Sequence, residues 1–168
     1  MQSMDLKSFV RSIPDFPKPG ILFRDISPLL ANAQALDFVA REMVKDIDLA
    51  SIDAFAGVES RGFLLAMLLA AKYQKGFIPI RKAGKLPPPV VARSYKLEYG
   101  EAALEMSPGK GNLVIVDDVL ATGGTLEAAI HVAQAAGYNV KDVRVLIDLK
   151  DLNQFRFSNK RVFSLMEF

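Results

Sequence analysis

The sequence predicts an α/β fold, an open, mainly parallel, twisted sheet flanked by helices. Two observations carry this. The runs IDAFAG (52–57), GFIPI (76–80), NLVIVDD (112–118) and DVRVLIDL (142–149) are short, apolar and rich in β-branched or aromatic residues, as strands buried on both faces are. The Ala- and Leu-rich segments FLLAMLLAAKY and TLEAAIHVAQAAG lie between them, which is the βαβ rhythm of a parallel sheet.

Taken in chain order, the first stretch to resist this scheme is SIPDFPKPGILFRDISP (12–28), which is rich in proline but too well supplied with Phe, Ile and Leu to be a linker. Residues 34–48 place Leu36, Val39, Met43, Val44 and Ile47 at helical spacing with charges between, so an amphipathic helix is expected there. The helix ending in AQAAG closes with Gly137, the residue type suited to a C-terminal cap. The second exception is RKAGKLPPPVVARSYKLEYGEAALEM (81–106), with five cations between Arg81 and Lys96 and a proline triplet; it reads as a flap. At 168 residues, with no repeat or low-complexity segment, the chain is expected to form a single domain over 1–168.

Composition narrows the function. With 51% hydrophobic and 24% charged residues and a formal charge of +2, nothing points to nucleic acid. The absence of cysteine excludes disulfides, thiolate nucleophiles and Cys-based metal sites, and suits a reducing cytoplasm. One histidine, His131, rules out a His-rich metal site in one chain; mid-helix, it reads as a packing or surface residue. The N-terminus lacks the apolar core of a signal peptide, and the longest apolar runs are too short to span a bilayer, so no membrane partner is expected.

The chemistry is expected beyond the C-terminal ends of the strands, where open parallel sheets bind ligands. After VIVDD comes VLATGGT: Gly123 and Gly124 allow a tight turn that aims N–H groups at a ligand, Thr122 and Thr125 add hydroxyls, and the following helix brings a positive N-terminal dipole. No Gly-Lys-Ser/Thr follows and there is no Gly-x-Gly-x-x-Gly, so this is neither a Walker loop nor a dinucleotide fingerprint. After IDAFAG comes VESRG, where Arg61 can grip phosphate oxygens in bidentate fashion, and Arg81, Lys82 and Lys85 follow the next strand. Two anion sites thus flank the carboxylates Asp117 and Asp118. A ligand with phosphate at each end and hydroxyls between, with Mg²⁺, would satisfy all of them. Taken singly each feature has a bland alternative: TGGT as a capped βα turn, Arg61 as a surface ion pair, the 81–99 charges as a solvated loop. Their predicted location on one side of one sheet favours a site.

VIVDDVLATGGT resembles the phosphoribosyl diphosphate signature of the type I phosphoribosyltransferases. DFPKPGILFRDISPLL, GVESRGF, IRKAGKLP and SYKLEYGEAALE are similar to the remaining blocks of the adenine-specific branch of that family, in order and near-family spacing from about Ser12 to Leu149. The resemblance implies the type I fold with a small N-terminal hood over about 12–30 and a mobile flap over about 81–106. It implies transfer of a phosphoribosyl group from 5-phosphoribosyl 1-diphosphate to adenine, giving AMP and diphosphate, with Mg²⁺ carried by the diphosphate rather than held by side chains. By the same resemblance Ala121, Thr122, Gly123, Gly124 and Thr125 hold the 5-phosphate, and Asp117 and Asp118 face the ribose hydroxyls. Glu59, Ser60, Arg61 and Gly62 form the diphosphate loop, supplemented by Arg81, Lys82 and Lys85. Phe23 and Leu149 sandwich the purine, while backbone groups of Leu22, Phe23 and Arg24 read its edge. Glu98 is an acid near the purine and Tyr99 an aromatic on the flap. Family members are homodimers in which a cation from 81–85 reaches the partner's site. Two departures stand out: Glu59 where many members have Asp, and Pro88 and Pro89 in the flap. Two other functions fit the same fold, a regulator that senses phosphoribosyl diphosphate and a 6-oxopurine transferase. The lack of an added helix-turn-helix argues against the first and FRDISP against the second.

Overall fold

The computed structural model describes residues 4–97 and 100–168. Two compact units divide the chain, Met1–Glu42 and Met43–Phe168. In the first, strands β1 (Arg11–Pro14) and β2 (Leu22–Asp25) pair antiparallel with Ile13 opposite Phe23. Two short helices follow, α1 (Ser27–Leu30) and α2 (Ala33–Glu42). Asp25 joins these pieces: it pairs with Arg11 across the ladder and accepts from the Ser27 N–H at 2.9 Å and the Ser27 hydroxyl at 2.6 Å. The helix expected over 34–48 ends at Glu42, although Met43 and Val44 are buried. Beyond it Asp46 is committed to Arg144 at 2.6 Å and Asp48 caps a separate 3₁₀ turn, so apolar spacing outlasts helical geometry.

The second unit holds β3 (Ala54–Val58), α3 (Arg61–Tyr73), β4 (Gly76–Lys82), β5 (Val91–Leu97), β6 (Gly100–Met106), β7 (Gly111–Leu120), α4 (Gly124–Ala135), β8 (Tyr138–Asp148), the short pair β9 (Arg156–Phe157) and β10 (Lys160–Arg161), and β11 (Phe163–Glu167). Its main sheet has the order β11-β8-β7-β3-β4-β6-β5. The five strands from β11 to β4 are parallel, and β6 and β5 continue the sheet as an antiparallel hairpin. The flap segment is therefore part of the sheet where it is described. The four strands expected from apolar runs are all present; β7 continues through both aspartates to Leu120.

Alternation along β3 shows how the helices are layered. Ala54, Ala56 and Val58 join the core cluster that contains Leu126, Ala129, Val132 and Ala133 of α4. Gly57, pointing the other way, is packed against α3 so closely that a Cβ there would lie 2.9 Å from Ala66 Cβ. The sheet is thus covered on both faces, which is why β3 and the centre of β7 are wholly apolar and buried. Each fully buried Val, Leu or Ile contributes roughly 1.5–3 kcal/mol. Gly137 takes φ +102° just beyond α4, ending that helix as expected.

Numbered by appearance among the parallel strands, the order is second, first, third, fourth, fifth. Its direction of winding reverses between β3 and β7, which is the crevice where doubly wound sheets bind ligands.

Candidate active site

Two βα junctions meet at this reversal. At the end of β3 the Glu59 N–H donates to Ile80 O at 2.9 Å, and α3 then starts at Arg61. Gly62 fits against β7: a Cβ would stand 2.8 Å from Val116 O and 2.9 Å from Asp117 Oδ1, so only glycine lets the α3 N-terminus approach the carboxylates. At the end of β7, Gly123 adopts φ +96° as the N-cap of α4, with the Phe155 ring where its Cβ would be, at 2.8 Å. Residues 121–125 are thereby bent into a loop at the start of a twelve-residue helix, and the unpaired N–H groups of a helix start favour an anion.

A cavity of about 520 Å³ lies between the junctions and is lined by Ser60, Arg61, Lys82, Asp117, Asp118 and Thr125, together with Glu59. Residues predicted from three separate loops are thus brought together. A larger cavity, about 580 Å³, borders Arg93, Gly124 and His131 but has neither carboxylate pair nor diphosphate-type loop.

The electrostatics are dominated by buried acids. Asp117 and Asp118 are 8% and 6% exposed. Burial, reinforced by the Asp118 charge, pushes the Asp117 carboxyl well above the usual range. Burial also raises Asp118, and Arg61 opposes it, its Nε standing 2.7 Å from Asp118 Oδ2. Among the described residues no hydrogen bond is aligned on that buried oxygen, so it has a charge partner and unused acceptor capacity. The Asp118 N–H donates to Asp117 Oδ1 at 2.8 Å and fixes the pair.

Among the described residues no group of three or more His, Cys, Asp or Glu is placed to hold a metal ion. Two adjacent carboxylates with a spare lone pair do fit Mg²⁺ held chiefly by substrate phosphates, since that ion seldom uses an all-protein cage.

The cations at the end of β4 and just beyond it meet an acid of their own chain. Lys85 Nζ lies 2.8 Å from Glu59 Oε1 and Arg81 Nη2 lies 3.2 Å from the same atom. The Lys82 N–H donates to Glu59 Oε2 at 2.9 Å. Burial works to raise the Glu59 carboxyl, but the bonds from Lys85, Arg81 and the Lys82 amide prevail and hold it at about 2.

Leu149 follows β8, half-buried, its N–H donating to Leu120 O at 2.9 Å. Asn153 holds it from beneath: Nδ2 donates to Leu149 O and to Asp148 Oδ1, both at 3.0 Å, and Oδ1 accepts from the Phe155 N–H at 3.1 Å. The same side chain therefore ties Leu149 to the residue packed under Gly123. In the first unit, Phe23 meets Phe16 edge to face at 5.2 Å, Arg24 bonds to the Ser12 hydroxyl, and Leu22 is exposed. Glu98 and Tyr99 lie outside the described residues.

Asn153, Phe155 and Glu105 were not anticipated from the sequence. Glu105 alone left a signal there, an acid between Leu104 and Met106.

The profile of the phosphoribosyl transferase domain family matches residues 26–156, which gives the class that the fold and the paired anion loops define. An adenine phosphoribosyltransferase of Bdellovibrio bacteriovorus is 59% identical over 98% of this chain and 100% of that protein. The crystal structure of the adenine phosphoribosyltransferase from Rhodothermus marinus superposes with a TM-score of 0.88, at 40% identity, covering 97% of this chain and 96% of that one. That of the Giardia lamblia enzyme, complexed with 9-deazaadenine, has a TM-score of 0.86 at 36% identity, covering 98% and 96%. The chain belongs to the adenine phosphoribosyltransferase family.

Proposed function

We propose that the protein transfers the 5-phosphoribosyl group of 5-phosphoribosyl 1-diphosphate to adenine, releasing AMP and diphosphate, in purine salvage in the cytoplasm. The bond from ribose C1 to diphosphate oxygen breaks, the bond from C1 to purine N9 forms, and N9 loses its proton. The observation that carries this reading is the buried carboxylate pair between two βα junctions that line one cavity. The 121–125 loop would hold the 5-phosphate on backbone N–H groups and the hydroxyls of Thr122 and Thr125. Asp117 and Asp118 would accept hydrogen bonds from the ribose hydroxyls. Ser60, Arg61 and the 59–62 backbone, with Lys82, Lys85 and Arg81, would receive the diphosphate as its negative charge grows. Mg²⁺, bound with the donor, would add positive charge at the leaving group.

Leu22, Phe23, Arg24 and Leu149 are the groups assigned to the base. β2 belongs to a two-stranded ladder, and the edge of a strand presents backbone N–H and C=O groups in alternation. Such an edge suits adenine, which offers an amine donor beside the N1 acceptor; a 6-oxopurine presents the reverse. Glu98, as an acid near the purine, would assist proton transfer and Tyr99 would close over the site.

A homodimer is part of this reading. Leu64 and Met67 are 52% and 49% exposed on α3, on the helix that Arg61 begins, and Leu68 and Ala71 continue the stripe at helical spacing. Replacing Leu64 and Met67 together by Glu should yield monomers by sedimentation.

The activity is tested by supplying the donor, Mg²⁺ and adenine, hypoxanthine or guanine separately and identifying the nucleotide. AMP should form, with the 6-oxopurines disfavoured by ~10⁴-fold because a mismatch leaves polar groups unpaired. Comparable turnover of hypoxanthine, or no nucleotide from adenine, would defeat it.

A further inference from the structure

Glu105 is an acid near the end of β6, 3% exposed, between the buried Leu104 and Met106. Its carboxylate turns toward the loop after β4. Oε2 accepts from the Gly84 N–H at 2.9 Å, and Oε1 accepts from the N–H groups of Lys85 and Leu86, each at 2.6 Å. Three successive amides converge on one side chain, the arrangement by which backbone concavities bind anions, here around an anion from the chain itself.

The geometry fixes where the loop's own charges go. Arg81 faces Glu105 in the β4–β6 ladder, and the Ala83 N–H donates to Ala103 O at 2.9 Å. Past that point no strand pairing holds the chain; Gly84 turns at φ +86° and the carboxylate gathers the next amides. The turn brings Lys85 back to Glu59 at 2.8 Å and offers the Lys85 carbonyl to Arg81 Nη1 at 3.3 Å. Two of the cations assigned to diphosphate, Lys85 and Arg81, are thereby aimed at the 59–62 loop by a group that lines no part of the cavity.

We infer that Glu105 is a positioning residue for diphosphate: its carboxylate holds the 84–86 turn so that Lys85 and Arg81 are aimed at the diphosphate loop before any ligand arrives. This rests on the assignment of those cations to diphosphate. Glutamine keeps the length but has one acceptor oxygen and an amide nitrogen that cannot accept, so Glu105→Gln leaves at least one amide facing a donor. Lys85 would then sample other directions while β6 and the 121–125 loop stay as they are.

The test measures binding of diphosphate and of ribose 5-phosphate separately by calorimetry, so that it does not depend on turnover. Glu105→Gln should weaken diphosphate by about tenfold, the size of one charge-assisted hydrogen bond, and change ribose 5-phosphate by less than about twofold. Amide exchange at residues 84–86 should quicken. In a Lys85→Ala background the same substitution should cost much less, because the group it positions is gone. Unchanged diphosphate binding, equal weakening of both ligands, or full additivity with Lys85→Ala would overturn the inference. So would a Glu105→Gln protein that does not fold, since the carboxylate would then serve the core. Should wild-type protein bind diphosphate but form no AMP, the proposed reaction would fail while Glu105 could still be judged.

Discussion

The two junctions at the sheet's reversal are built on opposite electrostatic plans. The β7–α4 loop is glycine-rich: bent at Gly123 and fixed by the Phe155 ring, it offers backbone N–H groups and a helix dipole with no cation of its own. The β3–α3 loop works with full charges, and these are already partnered, Arg61 with Asp118 and Lys85 and Arg81 with Glu59. A preorganised neutral cradle suits a phosphate monoester that stays on the sugar throughout the reaction. Counter-paired cations suit a group that must be bound, stabilised as it departs and then released, because an internal acid competes with it at every stage.

The largest effect that could break this contrast is expected at Arg61. Arg61→Ala removes the charge proposed to face the leaving group and strands Asp118, so kcat/KM for the donor should fall by ~10²–10³, measured in steady-state assays. An effect confined to the adenine KM would separate Arg61 from diphosphate. At the neutral loop, Gly123→Val places a β-branched residue at positive φ, costing more than ~1–2 kcal/mol even before the clash with Phe155, and should raise the donor KM by ~10-fold or more. Phe155→Ala in the same protein should recover part of the loss; no recovery would mean that backbone strain alone is responsible.

A third prediction concerns stability. Burial and the neighbouring Asp118 charge raise Asp117 above its ordinary 3.8, so the stability associated with Asp117 is complete below 3.8 and is lost as pH rises toward the folded value. Asp117→Asn keeps the Oδ1 acceptor while removing the charge. It should therefore raise Tm near neutral pH, by about 0.5–2 kcal/mol equivalent, while lowering activity. A lower Tm would show that the ionised pair stabilises the fold. Glu59 should behave in the opposite sense. Its carboxyl is held at about 2 against an ordinary 4.5, so its contribution is present above 4.5 and disappears as pH falls to about 2. The difference in Tm between wild type and Glu59→Gln should shrink across that interval, and a difference constant with pH would mean that the cations ignore the Glu59 charge.

Much of this arrangement was legible in the sequence because it depends on short-range pattern. β3, β4, β7 and β8 declared themselves as apolar runs, and the carboxylates and TGGT turn lie within nine residues of one another, 117 to 125. What escaped depends on chain reversal. The helix expected to reach residue 48 stops at Glu42, and Asp46, four residues further on, pairs with Arg144, a partner distant in sequence. Asn153 sits in a polar loop with no periodicity to mark it, and its value arises only where Leu149, Asp148 and Phe155 converge. The pairing of Glu59 with Lys85 spans 26 residues and needs the β3–β4 register to be known. The place of Gly62 in VESRG marks a tight loop, whereas its close approach to Val116 and Asp117 belongs to the packing of α3 on β7.

The division of labour between the two loops is tested most directly by calorimetric titration of ribose 5-phosphate and of diphosphate, each separately, into wild type, Gly123→Val and Arg61→Ala. Gly123→Val should lose affinity for ribose 5-phosphate and keep that for diphosphate, and Arg61→Ala should do the reverse. Equal losses for both ligands in both variants, or the crossed pattern inverted, would contradict the assignment of one phosphate to each loop.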